Sequence, residues 1–381
     1  MGDYLIVPLE KLRSYLDEDT DGSLGENRHP DSGRTSATND YEAVQIWLQR
    51  FQTSPNTQIS YRKEIERLYL WSINRGMSLA DLKLEDLEEY KQFLCDPQPD
   101  KEWCGPAAPR TDDNWKPFIG KLSPASRNQS LTILNTCFGF FTQMGYLKYN
   151  PLKLLFNRDL RQQINKTGKI NRYLEHDLWD YLWDHIKKHQ PQNDKEVKSH
   201  QRRLFLFGML YLLAPRLSEV ANHTMGSFLE ERGKWWWEVT GKGNKTAKIP
   251  VPNAMVKVLQ EYRKFLGLSP LPVPGEQRPL ISALDSDKAL SSKMIYLIVK
   301  DTVAEAATAL ESRSPHKAEK LRQASTHWFR HTSLTHQADK GVDIRHLQAT
   351  ARHASITTTQ RYMHEEEETW HKDIDKHNLN K

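Results

Sequence analysis

The sequence predicts a mainly α-helical chain of two domains with a small β-sheet in the second domain. Apolar residues recur at helical spacing through most of residues 40–156. A tryptophan-rich stretch near residues 234–240 alternates as a half-buried strand does, and a turn containing two glycines follows it. The length of 381 residues exceeds one ordinary core, so two domains are expected.

The first domain is expected to span residues 40–161 as a bundle of about four helices. Gly76 and Gly145 follow two of the apolar patterns and are typical helix stops. Residues 96–122 are rich in proline and predict a long loop. Residues 1–39 are interpreted as a flexible N-terminal segment, within which residues 4–16 form a short helix or a docked tail.

A polar, basic stretch at residues 162–171 is interpreted as the linker to a second domain over residues 172–381. This domain is expected to begin with a helix near His176. A strongly apolar helix at residues 204–214, a β-hairpin and further helices follow it. The chain ends in a tail with four consecutive glutamates, Glu365 to Glu368, ahead of Trp370 and Ile374.

Composition gives weaker indications of partner and compartment. The formal net charge of +5 fits a polyanionic partner without requiring one. Cys95, Cys104 and Cys137 are too few and too irregularly spaced for a disulfide framework or a zinc site, which favours reduced thiols in the cytosol. No apolar run is long enough to cross a membrane, and no secretory signal opens the chain.

Polar residues of the second domain fall into ordered clusters that could carry chemistry. An arginine follows the apolar helix, lysines lie at the hairpin tip, and a His-x-x-Arg-His group precedes a histidine and a tyrosine. Each residue taken alone is more often a solvated surface group. A metal site at the histidines is disfavoured because supporting carboxylates or cysteines are missing. These residues are Arg216, Lys242, Lys245, His327, Arg330, His331, His353 and Tyr362.

The order of the clusters resembles that of the tyrosine site-specific recombinases of the phage integrase family. The stretches that carry the resemblance are PRLSE, GKGNK, HWFRH and ARHASITTTQRYMH. TQISYRKEIERLYLW and the helix after LSPASRN also look like the family's core-binding domain. Two positions depart from the family pattern: Pro215 stands where a glycine is usual, and Ala351-Arg352 replaces the usual Leu-Gly before His353.

The resemblance implies a helical core-binding domain and a mixed α/β catalytic domain that together form a clamp around DNA. It implies DNA cleavage and rejoining through a 3′-phosphotyrosine, for integration, excision or resolution of a mobile element. The family's roles fall on residues of the second domain. The two guanidiniums are Arg216 and Arg330, the nucleophile is Tyr362, the base is His327, the general acid is Lys242, the phosphate-bonding histidine is His353, and the supporting residues are His331 and Glu219.

The resemblance also implies partners. Double-stranded DNA with inverted-repeat half-sites would be bound by a homotetramer on paired sites, and the protein would be a monomer or dimer without DNA. No cofactor, metal or membrane is expected, and the place of action would be the bacterial cytoplasm. The alternatives are a catalytically inactive DNA-binding relative, a type IB topoisomerase and a helical structural protein. Candidate DNA contacts are Tyr61, Arg62, Ser126, Arg127 and Lys245.

Overall fold

The structure is a computed structural model that describes residues 4–29, 34–155, 172–241, 246–353, 355–360 and 362. The chain divides into two units, Met1–Lys166 and Thr167–Lys381. The division falls within residues 162–171, the predicted linker, and that stretch lies outside the described residues. The tail after Tyr362 also lies outside them.

Unit 1 is helical, and its longer helices begin at residues suited to a helix start. The side chains of Asn39 and Ser123 accept backbone N–H groups of Glu42 at 2.9 Å and Ser126 at 3.2 Å. The helices are α1 (Leu9–Leu12), α2 (Asp40–Gln49), α3 (Pro55–Ile73), α4 (Leu84–Phe93), α5 (Asp100–Trp103) and α6 (Pro124–Gln143), with 3-10 turns at Arg13–Tyr15, Leu79–Asp81 and Pro151–Leu154.

The core of unit 1 lies between α2, α3, α4 and α6. Trp47, Leu68, Tyr90 and Phe138 are fully buried there, one from each helix. Burial of such side chains stabilises the bundle, because each large apolar side chain contributes about 1.5–3 kcal/mol when it is removed from water. The four helices coincide with the predicted apolar patterns.

The N-terminal segment differs from the expectation of a flexible connection, at least over its described part. Leu9 and Leu12 of α1 are buried in the core of unit 1. Farther along, the carbonyl oxygen of Asp21 accepts the N–H of Asp40 at 2.7 Å, and the carbonyl of Asn27 accepts the N–H of Lys148 at 2.9 Å. The composition of residues 17–39 concealed this order because backbone groups, rather than apolar side chains, make the contacts.

The predicted long loop between α4 and α6 is also ordered. Trp103 and Phe118 are buried, and the Arg67 guanidinium lies 4.2 Å from the centre of the Phe118 ring. Arg67 also donates from Nε to the carbonyl oxygen of Pro117 at 2.9 Å. Aromatic anchors and one buried arginine therefore attach the loop to α3.

Unit 2 combines helices with one three-stranded antiparallel sheet of order β1-β2-β3. The strands are β1 (Phe228–Glu231), β2 (Lys234–Thr240) and β3 (Thr246–Pro250). The helices are α7 (His176–Lys188), α8 (Asp194–Leu213), α9 (Leu217–Asn222), α10 (Asn253–Phe265), α11 (Ser292–Leu310), α12 (Pro315–Gln323), α13 (Thr326–Asp339), α14 (Ile344–Ala351) and α15 (Ile356–Gln360), with a 3-10 turn at Met225–Ser227.

The sheet follows the predicted alternation but has one more strand. Trp237 and Val239 of β2 are buried, as expected for the inward face. The additional strand, β1, is only four residues long and reaches β2 through Arg232 and Gly233, which have φ of 54° and 73°. A strand this short has too little alternation to be recognised in the sequence.

The predicted apolar helix is the centre of the unit 2 core. α8 extends farther than predicted, and its residues Phe205, Leu206, Met209 and Leu210 are fully buried. α10 and α13 pack against it. Over the described ranges, no helix combines the length and the apolar character that a bilayer span requires.

One buried carboxyl group organises the start of α2. Asp40 is fully buried; its Oδ2 accepts the N–H groups of Leu79 at 2.6 Å and Ala80 at 3.2 Å, and its Oδ1 accepts the Tyr146 hydroxyl at 2.8 Å. Burial raises the pKa of Asp40 to about 7. The folded state therefore holds a proton on this group that the unfolded chain loses at a lower pH.

We expect the Asp40 contribution to stability to fall as pH rises from about 4 to about 7, because only the folded state binds the proton in that window. Asp40→Asn should abolish this decrease, a difference on the order of 3 kcal/mol between pH 4 and pH 8. The side-chain oxygen of asparagine can still accept a backbone N–H, and its amide group can donate to the Tyr146 hydroxyl. The measurement is urea unfolding across pH, with Asp19→Asn, an exposed carboxylate, as control. Equal pH slopes for Asp40→Asn and wild type would contradict this account.

Candidate active site

Two helices of unit 2 end at a non-glycine residue in the left-handed conformation. Ala214 follows α8 with φ 48° and ψ 45°, and Arg352 follows α14 with φ 53° and ψ 44°. This conformation costs a residue with a Cβ about 1–2 kcal/mol. Pro215 prevents α8 from continuing as a right-handed helix. Carbonyl oxygens at both helix ends accept hydrogen bonds from arginines, and these bonds offset the strain.

Arg330, on α13, joins these two helix ends. Its Nη1 donates to the carbonyl oxygen of Ala214 at 2.6 Å, and its Nη2 donates to that of Ala351. Only 3% of Arg330 is exposed. Burial, followed by the charges of Arg352 and Arg216, lowers the pKa of Arg330 to about 9, which still leaves the guanidinium protonated at neutral pH.

Arg216 stands at the start of α9, as the sequence predicts. Its backbone N–H donates to Glu219 Oε2 at 2.6 Å, and its Nη1 donates to Glu219 Oε1 at 3.0 Å. Nη2 lies 3.2 Å from the carbonyl oxygen of Arg352. Because 41% of the Arg216 side chain is exposed, this guanidinium, unlike that of Arg330, is open to a bound anion.

Tyr362 lies inside the site rather than on its surface. Only 2% of the residue is exposed, and it packs with Ala214, Leu334 and Ala351. Its hydroxyl is 2.6 Å from Nδ1 of His331. The structure thus places His331 against the phenol, although the family resemblance implied a supporting position for this residue and the role of base for His327.

The three histidines of the site form a chain beside Tyr362. The His327 and His331 rings lie 4.2 Å apart between centroids, and the His353 ring stacks on Tyr362 at 6.0 Å. Nδ1 of His353 is held 3.0 Å from the Thr359 hydroxyl of α15.

The pKa values of all three rings lie below the ordinary value of histidine. Burial and then nearby cationic groups lower the pKa of His331 to about 3 and that of His353 to about 4. Burial, followed by Arg330, also lowers the pKa of His327. Neutral imidazoles can accept protons, and an arriving anion would make protonation more favourable.

Lys242 and Lys245, the predicted hairpin residues, lie outside the described residues. The base of their hairpin is described: Thr240 and Thr246 are paired across β2 and β3. The N–H of Thr240 donates to Nε2 of His223 at 2.8 Å, and Nδ1 of His223 lies 2.8 Å from the carbonyl oxygen of Glu219. This histidine therefore connects the hairpin base to the turn that carries Arg216.

The DNA contacts predicted in unit 1 have mixed surroundings. Tyr61 stacks on Trp47 at 5.2 Å, and Arg62 pairs with Glu10 at 2.7 Å. Arg127 donates to the sulfur of Cys95, and Ser126 is exposed in the first turn of α6. Tyr61, Arg62 and Arg127 thus have internal contacts that the sequence did not indicate, and the exposed Ser126 hydroxyl lies 3.0 Å from that of Ser123.

The described side chains can be compared with the donor sets that bind metal ions. Within the described ranges, no group of three or more His, Cys, Asp or Glu side chains is placed to hold an ion. The charged groups that meet here are mainly guanidiniums, which suit phosphate oxygens.

One residue of the site was missed by sequence reasoning as a functional candidate. Arg352 was noted as a departure from the family pattern, but the contact of its side chain with Glu219 was not foreseen. Nε lies 3.1 Å from Oε1, and Nη2 lies 2.6 Å from Oε2. The signal available in the sequence was an arginine where the pattern has glycine.

Unit 2 matches the phage integrase family over residues 172–369, which is more than half of the chain. The chain belongs to this family, the tyrosine site-specific recombinases, and is an enzyme that cleaves and religates DNA. Among curated relatives, it is 20% identical to tyrosine recombinase XerD of Shewanella oneidensis over 82% of this chain and 86% of the relative. It is 25% identical to tyrosine recombinase XerD of Brucella abortus over 67% of this chain and 77% of the relative.

Solved structures of other recombinases have the same fold as this chain. XerH recombinase bound to difH substrate, in a pre-cleavage complex, aligns with a TM-score of 0.58 at 16% identity, covering 98% of this chain and 97% of that one. The integrase of transposon Tn1549, in complex with transposon right end DNA, aligns with a TM-score of 0.58 at 15% identity, covering 88% and 98%. These similarities establish the mainly helical fold with a small sheet.

Proposed function

We propose that this recombinase acts on double-stranded DNA in the bacterial cytoplasm through a 3′-phosphotyrosine at Tyr362, to integrate, excise or resolve a mobile element. The observation that carries the proposal is the convergence of Tyr362, two guanidiniums and three histidines around the Ala351–Arg352 turn. The relatives bound to DNA, XerH and the Tn1549 integrase, support duplex DNA as the partner.

The guanidiniums would hold the scissile phosphate. The exposed part of the Arg216 guanidinium would bind a non-bridging oxygen. The buried guanidinium of Arg330 would add positive charge without reaching the surface. Negative charge accumulates on these oxygens in the transition state, so fixed cations stabilise it more than the ground state. His353, held by Thr359, would donate a further hydrogen bond to the phosphate once protonated or in its donor tautomer.

Tyr362 would supply the nucleophile. Its oxygen forms a bond to phosphorus, the bond from phosphorus to the 5′ oxygen breaks, and the phenolic proton passes to a histidine. We assign this proton first to His331, which already contacts the hydroxyl, and place His327 next in line. Lys242, which the family resemblance indicates as the general acid, would protonate the leaving 5′ oxygen.

The covalent intermediate would keep the energy of the broken bond. A 5′ hydroxyl from a second strand attacks the phosphotyrosine, forms the new phosphodiester and releases Tyr362. No cofactor is required for this sequence of steps. In unit 1, Tyr61, Arg62, Ser126 and Arg127 stay proposed contacts to the DNA backbone, and Lys245 is proposed for the hairpin.

We expect Tyr362→Phe to abolish covalent adducts with nicked duplexes while leaving gel-shift affinity within about threefold, since only the attacking oxygen is removed.

Arg216→Ala should slow cleavage by roughly 10²–10³-fold. Arg216→Lys should slow it by less, because lysine keeps the positive charge but not the two-pronged geometry of the guanidinium. The substrates are nicked duplexes from the DNA that flanks the coding region. Strand exchange by Tyr362→Phe would refute the proposal, and relaxation of plasmids without strand exchange would favour the topoisomerase alternative.

We further propose that a homotetramer assembles on paired sites with inverted-repeat half-sites, from monomers or dimers. An open groove of about 690 Å³ lies along β3, α13 and α14, and Lys340, His346 and Lys248, which pairs with Glu231, line it among apolar residues. The tail of a second copy would complement it, since Glu365 to Glu368 are acidic and Trp370 and Ile374 are apolar. A tail bound in this groove would contact α14, the helix that ends at the active site.

Deletion of residues 369–381 should leave binding to one half-site nearly intact and reduce cooperative assembly and recombination about tenfold or more, because the apolar anchors of the tail are lost. Trp236→Ala, in the groove of an otherwise complete chain, should produce the same defect. Gel-shift titrations on full sites and single half-sites provide the measurement. Normal assembly by both variants would show that the tail is a solvated end.

A further inference from the structure

Arg352 makes a buried, two-point ion pair with Glu219. Its Nε and Nη2 each meet a different carboxylate oxygen, and its Nη1 donates to the carbonyl oxygen of Thr350 at 2.7 Å. The side chain of Arg352 is 10% exposed and that of Glu219 is 2% exposed. A fork of this kind is stronger and more directional than an ordinary surface pair, because solvent does not screen it.

The backbone of Arg352 is poorly suited to arginine. With φ 53° it occupies the left-handed region, which glycine adopts without strain. The family pattern has glycine here. This conformation strains a residue with a Cβ, and the pair with Glu219 is a contact that offsets this strain.

Glu219 is shared between two guanidiniums. Arg216 reaches Oε1 through Nη1 and Oε2 through its backbone N–H, while Arg352 approaches the same two oxygens. With Arg352 absent, the carboxylate would neutralise Arg216 alone and would draw its guanidinium inward. With Arg352 present, the carboxylate has a second cation.

The charge balance changes accordingly. Among the described side chains around the Ala351–Arg352 turn, three guanidiniums and one carboxylate leave two net positive charges. Without Arg352, one remains. A phosphodiester carries one negative charge, and more negative charge develops on its non-bridging oxygens during attack, so the additional positive charge of Arg352 favours the transition state over the ground state.

We propose that Arg352 is a positioning residue that neutralises Glu219 and so keeps the guanidinium of Arg216 free for the phosphate. It acts through Glu219 and not by touching DNA. The turn it occupies also supplies carbonyl oxygens to Arg216, and His353 directly follows it. This inference rests on the proposed function, in which Arg216 binds the scissile phosphate.

The test is a double-mutant cycle between Arg352→Gly and Glu219→Gln in the full chain. Glycine suits the backbone, and glutamine keeps one oxygen for the N–H of Arg216. Cleavage is followed as covalent adduct on the nicked flanking duplexes, and affinity by gel shift. Arg352→Gly should slow cleavage about 10- to 100-fold and change affinity less than about threefold. In the Glu219→Gln background, the same substitution should cost less than about threefold.

Two further variants complete the design. Arg352→Lys keeps the charge and should cleave at an intermediate rate. Arg345→Ala removes an exposed arginine from the same helix and should cleave like wild type. Thermal unfolding of every variant identifies any that fail to fold, and the lysine variant then carries the comparison.

Three results would overturn the proposed role of Arg352. Unchanged cleavage by Arg352→Gly overturns it, as does an equal or larger loss in the Glu219→Gln background, which would indicate structural support alone. Cleavage by Arg352→Lys as slow as by Arg352→Gly, with a native melting temperature, also overturns it. If the wild-type chain forms no adduct, the proposed function fails instead, so the two failures are distinguishable.

Discussion

A buried guanidinium needs partners for its hydrogen-bond donors, and at Arg330 this need organises the whole site. The carbonyl oxygens that Arg330 uses belong to Ala214 and Ala351, at the ends of α8 and α14. Both helices stop there because the chain turns left-handed at Ala214 and Arg352. One arginine thus fixes two strained turns, and those turns lead directly to Arg216 and His353.

The rest of the chemistry depends on this frame. Glu219 caps α9 through the N–H of Arg216 and also receives Arg352, so the start of one helix is attached to the end of another. His353 and Tyr362 follow the second turn and stack beside the histidines of α13. Positive charge fixed in advance, next to a phenol in contact with an imidazole, is an arrangement suited to the attack on a phosphodiester that we propose.

Much of this could be predicted from the sequence, because the residue types and their order carry the information. The four helices of unit 1, the apolar α8 and the strand around Trp237 followed from periodicity. What could not be predicted depends on contacts between distant segments. Arg352 and Glu219 are far apart in the chain, and nothing local indicates their fork. The contact of His331 with Tyr362, and the attachment of residues 17–29 through backbone groups, are of the same kind.

The most direct test of the account is to identify the residue that becomes joined to DNA. A covalent adduct formed on a nicked flanking duplex would be digested with protease and nuclease, and the modified peptide sequenced by mass spectrometry. We expect one peptide that contains Tyr362 with a nucleotide attached through its 3′ phosphate. Attachment to any other residue, or through a 5′ phosphate, would contradict the proposed mechanism.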